Sequence, residues 1–142
     1  MATVDSPEAA TSSLPPIVQT GHPVLRRPAG EVQSETILTP KFQELITTMI
    51  AVMRDAPGVG LAAPQIGLPI RLIVLEERQE LLDKLPEEDR QLKERIGFKT
   101  RVFVNPTLKL LGGDRVTFFE GCLSVQGFVA LVARAREVEV SG

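Results

Sequence analysis

From Phe42 to Met53 the apolar residues Phe42, Leu45, Ile46, Met49, Ile50 and Met53 recur at i, i+3, i+4, i+7, i+8 and i+11, the single stripe of an α-helix with one buried face. Lys41, Glu44, Thr48 and Arg54 fall off the stripe. Thr39-Pro40 supplies a start, with a hydroxyl to cap free amides and a proline tolerated at the first helical position; Pro57-Gly58 supplies a stop. The two stripe methionines are expected to fill the core, because an unbranched thioether adapts to irregular gaps. Beyond the helix the pattern turns to strand. Ile70 to Leu75 is one run; Arg101 to Val104, Thr107 to Leu111 and Val116 to Phe119 follow, separated by Asn105-Pro106 and Gly112-Gly113-Asp114, and read as a hairpin. Phe128 to Val132 is apolar and Arg136 to Val140 alternates, predicting a last strand with one face outward. Between strands, Glu76 to Gly97 mixes acids and bases around Leu81, Leu82, Leu85, Leu92 and Ile96 and is broken by Pro86. It predicts two short, mostly solvated helical turns, with a partner-docking insert as the alternative. Strands grouped around one helix favour an α+β fold over a doubly wound sheet.

Residues 1–16 are rich in Ser, Thr, Pro and Ala and read as a flexible leader ending at Pro15-Pro16, leaving 17–142 as one domain. The run from Gly21 to Gly30 is dense in turn formers and is expected to lie over the surface, carrying the only histidine, His22, outside any site. A net charge of −2, a pI near 5.5 and six Phe with no Trp or Tyr argue against nucleic-acid binding. No apolar run has the length of a membrane span, and the first sixteen residues hold Asp5 and Glu8 but no Arg or Lys, unlike a transit peptide or signal sequence. One cysteine cannot form an intrachain disulfide.

Two stretches carry candidate chemistry. Gly58 to Gly67, GVGLAAPQIG, has in Gly58 and Gly60 residues that permit positive φ and close backbone approach to a ligand, keeps its surroundings shallow with Ala62 and Ala63, and offers Gln65 as an uncharged donor and acceptor. Alone it also reads as a glycine-rich turn. Glu120 to Val125, EGCLSV, holds Cys122, which is a small buried hydrophobe, a metal ligand or a nucleophile; a nucleophile wants a nearby base, and the only histidine lies in another segment.

With IVQTGHPVLRRPAGEV (17–32) and VFVNP (102–106), these stretches resemble the peptide deformylases, metal hydrolases that remove the formyl group from the N-terminal methionine of new polypeptides. The spacing and the charged insert after Leu75 are most similar to the plant organellar branch. The resemblance implies an α+β fold with antiparallel sheets packed around helices, Cys122 as one ligand of ferrous iron or zinc, and an oxyanion hole made by the Gln65 side chain and the Leu123 backbone amide. It also implies that Val59, Gly60 and Gly121 pair with an extended peptide substrate. Formyl-methionyl nascent peptides and the ribosome are the implied partners, and mitochondrion or chloroplast the implied location. Glu120 and Arg134 are expected to form an internal pair fixing the EGC turn. Val129 stands where bacterial-type members commonly have an arginine. The family's third motif, HExxH, which brings two histidine ligands and a base on a central helix, does not occur in the 142 residues. The chain is therefore expected to be an incomplete deformylase domain that neither holds metal nor hydrolyses formyl peptides alone. A non-catalytic peptide-binding module derived from a deformylase is the alternative.

Overall fold

Two methionines organise the interior. The striped segment is a helix over Pro40–Asp55 in a computed structural model that describes residues 13–142; we label it α2, after the single turn α1 (Ser34–Ile37). Thr39 Oγ1 accepts from the Phe42 amide at 3.3 Å, and beyond the last turn the Gly58 amide donates to Met53 O at 2.8 Å. Met49 and Met53 are wholly buried, together with Phe42 and with Val52, which the stripe omits. They pack on Leu61, Ala63, Leu72, Val74 and Val32, with Leu45, Ile46 and Ile50 at the margin. Each fully buried side chain contributes about 1.5–3 kcal/mol, so this contact fixes where the helix sits.

The partner layer is a three-stranded antiparallel sheet in the order β1 (Gly60–Ala62), β2 (Leu72–Glu77), β3 (Phe98–Val104). Leu61 opposes Val74, and Val74 opposes Val102. Leu72, Val74 and Glu76 share one face of β2, since successive side chains alternate, and all three are buried. The carboxylate is tolerated there because Arg54, in the last turn of α2, forks onto it at 2.8 and 2.6 Å while Thr100 Oγ1 donates at 2.6 Å. The charged stretch forms two short helices, α3 (Gln79–Leu82) and α4 (Glu87–Leu92), as expected. Leu82 anchors α3 in the interior, and Arg95 forks onto Glu77.

The strand reading is corrected at Gly112-Gly113-Asp114. These residues do not reverse the chain; β4 runs unbroken from Thr107 to Cys122 and pairs along its length with β5 (Val125–Ser141). The glycines sit where the register slips between Leu111 and Arg115, with Gly112 at φ +65°. A bulge uses a positive-φ glycine just as a turn does, and the long pattern of β5 spans both segments, so pairing wins over reversal. The reversal is at Leu123-Ser124. The strand expected at Ile70 to Leu75 also starts later, because Ile70 forms a parallel bridge with Gly30. Of the expected leader, residues 1–12 lie outside the described residues. The fold is α+β, as expected, and no helix among the described residues is long and apolar enough to cross a membrane.

Candidate active site

The loop after α2 turns into β1 and then into a short 3-10 helix, Ala63–Ile66. Gln65 Oε1 accepts from the Ala62 amide at 3.0 Å, which satisfies a free donor at the helix start and commits the oxygen end of the side chain. Its Nε2 consequently faces the EGC turn, 3.2 Å from Ser124 Oγ and 3.9 Å from Cys122 Sγ. Two motifs 57 residues apart thus meet through one amide.

Gly58 and Gly60 leave room for neighbouring side chains and do not serve positive φ. Neither Gly58 nor Gly60 has a positive φ; Gly67, at +87°, does, closing the 3-10 helix. A Cβ on Gly58 would stand 2.7 Å from Leu123 Cδ1, and one on Gly60 would stand 2.9 Å from Leu75 Cδ2. Leu123 is half-buried and packs on the core, so its side chain is seated beside the end of α2. Between the loop and the tip of β4–β5 lies a cleft of about 460 Å3, whose lining includes Val59, Gly60, Gln65, Gly121, Cys122 and Leu123. Every expected site residue is therefore in one cleft. A larger cavity of about 530 Å3 lies between the first turns of α2 and the Leu68–Ile70 loop. It is lined by Phe42, Leu45 and threonines and holds no residue of either motif, so the cleft is the better candidate.

A catalytic metal takes three protein ligands and leaves one position open. Among the described residues no three His, Cys, Asp or Glu side chains are placed to share an ion. Cys122 is exposed, with Gln65 as its neighbouring amide, and His22 is spent on the Val24 amide, which it accepts through Nδ1 at 3.2 Å in a surface 3-10 turn. The residues present do not fit a catalytic metal. Glu120 and Arg134 do pair, at 2.9 and 2.7 Å, and the Arg134 hydrogen bonds hold the Glu120 carboxyl below the usual carboxylate range against the opposing effect of burial. The pair lies on the exposed ribbon and is not internal.

A family model for polypeptide deformylase matches residues 14–142. The chain belongs to the peptide deformylase family. Among its relatives, the chloroplastic peptide deformylase 1A of Solanum lycopersicum is 46% identical over 135 residues, which are 95% of this chain and 49% of the relative. The chloroplastic/mitochondrial peptide deformylase 1A of Arabidopsis thaliana is 51% identical, with 91% and 48% covered. The mitochondrial enzyme of Homo sapiens is 42% identical, with 89% and 52% covered. The chain thus spans about half the length of these curated relatives. Among solved structures, a class I type b peptide deformylase from Acinetobacter baumannii with Met-Ala-Ser bound superposes with a TM-score of 0.77 at 28% identity, covering 91% of this chain and 76% of that one. A probable deformylase from Synechococcus phage S-SSM7 gives 0.67 at 31%, covering 87% and 72%.

Two parts of the cleft were not legible as such. Ser124, buried and bonded to Gln65, sits inside the second motif with only its serine identity as signal. The segment before Gly21, with no periodicity of its own, bonds to both motif loops: Val18 N donates to Gln65 O at 2.8 Å and Thr20 N to Ser124 O at 2.7 Å.

Proposed function

We propose that this chain supplies the peptide groove and the oxyanion donors of a peptide deformylase, the metal-dependent hydrolysis of the formyl group from N-terminal formyl-methionine of nascent chains. The observation that carries the reading is the direction of Gln65: with Oε1 taken by Ala62, Nε2 is fixed toward Cys122 and Ser124. A tetrahedral oxygen forming on the formyl carbon would accept from Gln65 Nε2 and from the Leu123 amide. A fixed donor aimed at charge that exists only in the transition state lowers the barrier by about 3–4 kcal/mol. Peptide binding is supported by β1, an edge strand of its sheet, and by Val59 and Gly121, both exposed at the cleft. Val59, Gly60 and Gly121 would hold the substrate by strand addition, with the methionine side chain in the cleft.

Cys122 would supply one metal ligand from the cleft. The other two ligands and the base of the family reaction, for ferrous iron or zinc, belong in this reading to an HExxH-bearing segment joined to the 142 residues. Such a helix would also cover the apolar face of β4–β5, where Phe119, Val129 and Leu131 are 61–68% exposed. The organelle of action is the chloroplast or mitochondrion by kinship, and the ribosome is the source of substrate. Cys122 as the one His, Cys, Asp or Glu lining the cleft among the described residues favours one second reading, a module that binds formyl peptides without hydrolysing them.

The test is formate release from formyl-methionyl peptides under anaerobic, reducing conditions with ferrous iron, nickel or zinc. The 142-residue chain is expected to be silent, and the same chain extended by an HExxH segment to bind metal and turn over. An extended chain that binds the peptide and releases no formate establishes the binding module instead. Formate release by the short chain that survives Cys122→Ser and is abolished by His22→Ala would place the site elsewhere.

A further inference from the structure

The hairpin tip that carries Cys122 and Leu123 is poorly closed by its own backbone. Its loop is Leu123-Ser124, and neither residue has a positive φ, whereas two-residue loops that match the twist of paired strands need a left-handed residue. The ladder breaks accordingly. Cys122 opposes Val125, but the next pair is Gly121 with Val129, so Gln126, Gly127 and Phe128 are looped out with Gly127 at φ +81°. Backbone groups freed in this way need partners.

A residue 104 positions earlier supplies them. Gln19 Nε2 donates to Leu123 O at 3.0 Å, and Gln19 Oε1 accepts from the Gln126 amide at 3.2 Å. These are the two backbone groups that a four-residue turn would join to one another; the Gln19 amide stands between them and bonds both. It is held in turn by the Ile17 carbonyl at 3.3 Å. The bonds of Val18 to Gln65 and of Thr20 to Ser124 thread the same segment between the two motif loops.

We propose that Gln19 is a positioning residue: by bridging Leu123 O and Gln126 N it fixes the Leu123–Ser124 peptide plane and so restrains, through the Leu123 backbone, the adjoining plane that carries the Leu123 amide in the cleft shared with Gln65. This deepens the deformylase reading, and only its kinetic consequence rests on that reading. The variants are Gln19→Leu, which removes both bonds at similar volume, and Gln19→Glu, which keeps the acceptor for Gln126 and loses the donor to Leu123.

In amide NMR of the 142-residue chain, Gln126 exchange should speed up roughly tenfold or more in Gln19→Leu and stay near wild type in Gln19→Glu. The Leu123 amide resonance should move in both while the α2 amides stay put. In the HExxH-bearing chain, kcat should fall roughly tenfold in both variants with KM within about twofold, because the groove is untouched and only a transition-state donor is misaimed. An unmoved Leu123 amide, or a raised KM with unchanged kcat, would show that Gln19 merely tethers the N-terminal segment. If Gln19→Leu loses its folded α2 signals, Gln19→Glu decides alone. Absence of formate from the unsubstituted extended chain overturns the deformylase reading, and the amide measurements still settle the role of Gln19.

Discussion

Gly58 is a second place, beside the Gln65 amide, where the two motifs come together, and replacing it tests whether they act as one unit. A Cβ at Gly58 would lie 2.7 Å from Leu123 Cδ1, but 3.5 Å from Leu123 Cγ and from Met53 O. Only the first distance is shorter than an ordinary contact, and Gly58 has no positive φ that would strain an alanine. Gly58→Ala should therefore leave the cap of α2 in place and push the Leu123 side chain off its site on the core. An off-rotamer side chain costs about 0.5–1.5 kcal/mol and overpacking about 1–3 kcal/mol. Because the contact is with the free end of a leucine, we expect about 1–2 kcal/mol, a fall in Tm of roughly 3–6 °C for a chain of this size. The assay is urea unfolding of the wild type, Gly58→Ala, Leu123→Ala and the double variant. Alanine at 123 has no Cδ1 to collide with, so the double variant should be less destabilised than the sum by about 1 kcal/mol or more. A cycle additive to within about 0.3 kcal/mol would refute the contact and the mechanical link it implies.

Three further outcomes follow from the same geometry. Gln65→Ala in the HExxH-bearing chain should cut turnover roughly a hundredfold while metal stays bound; metal analysis beside formate release separates the two, and unchanged turnover removes Gln65 from the oxyanion role. The Arg54 hydrogen bonds lower the Glu76 carboxyl from 4.5 to about 2, with Thr100 assisting and burial opposing. A folded-state value below the unfolded one gives stability that is present above pH 4.5 and lost as pH falls toward 2, so Glu76→Gln should flatten the acid limb of a urea-midpoint profile, and an unchanged limb would assign that stability to other groups. Phe119 and Leu131 oppose each other across the ribbon and are both exposed, so the 142-residue chain should self-associate with rising concentration in sedimentation velocity, and Phe119→Ser with Leu131→Ser should suppress this.

What could be seen in the chain beforehand was whatever is encoded locally. The helix was legible because a 3.6-residue stripe, a Thr-Pro start and a Pro-Gly stop agree over sixteen residues. The two short helices of the insert were legible from charge alternation about a proline. The ribbon was misread because Gly112-Gly113-Asp114 has the composition of a turn and lies in a bulge. Local composition cannot distinguish these; the seventeen-residue partner strand β5 decides. The roles of Gly58 and Gly60 were not legible: positive φ and approach to a ligand were anticipated, whereas neither glycine has a positive φ and the side chains crowding them are those of Leu123 and Leu75.

The site shows the same division between what is local and what is not. The groups proposed to carry its chemistry, Gln65, Cys122 and Leu123, lie in short motifs and can be named from the chain. Their geometry rests on contacts that leave no pattern: the Ala62 amide that orients Gln65, the leucine end that seats against Gly58, and a glutamine amide that joins Leu123 to Gln126 across 104 positions. The Gln19 segment has no period of its own and entered the sequence reading only as part of the 17–32 resemblance, yet its backbone and side-chain groups bond donors and acceptors at the hairpin tip. A chain with Gln19 replaced would keep both site motifs, GVGLAAPQIG and EGCLSV, intact, and on the proposal above would differ at the backbone amide assigned to the oxyanion hole.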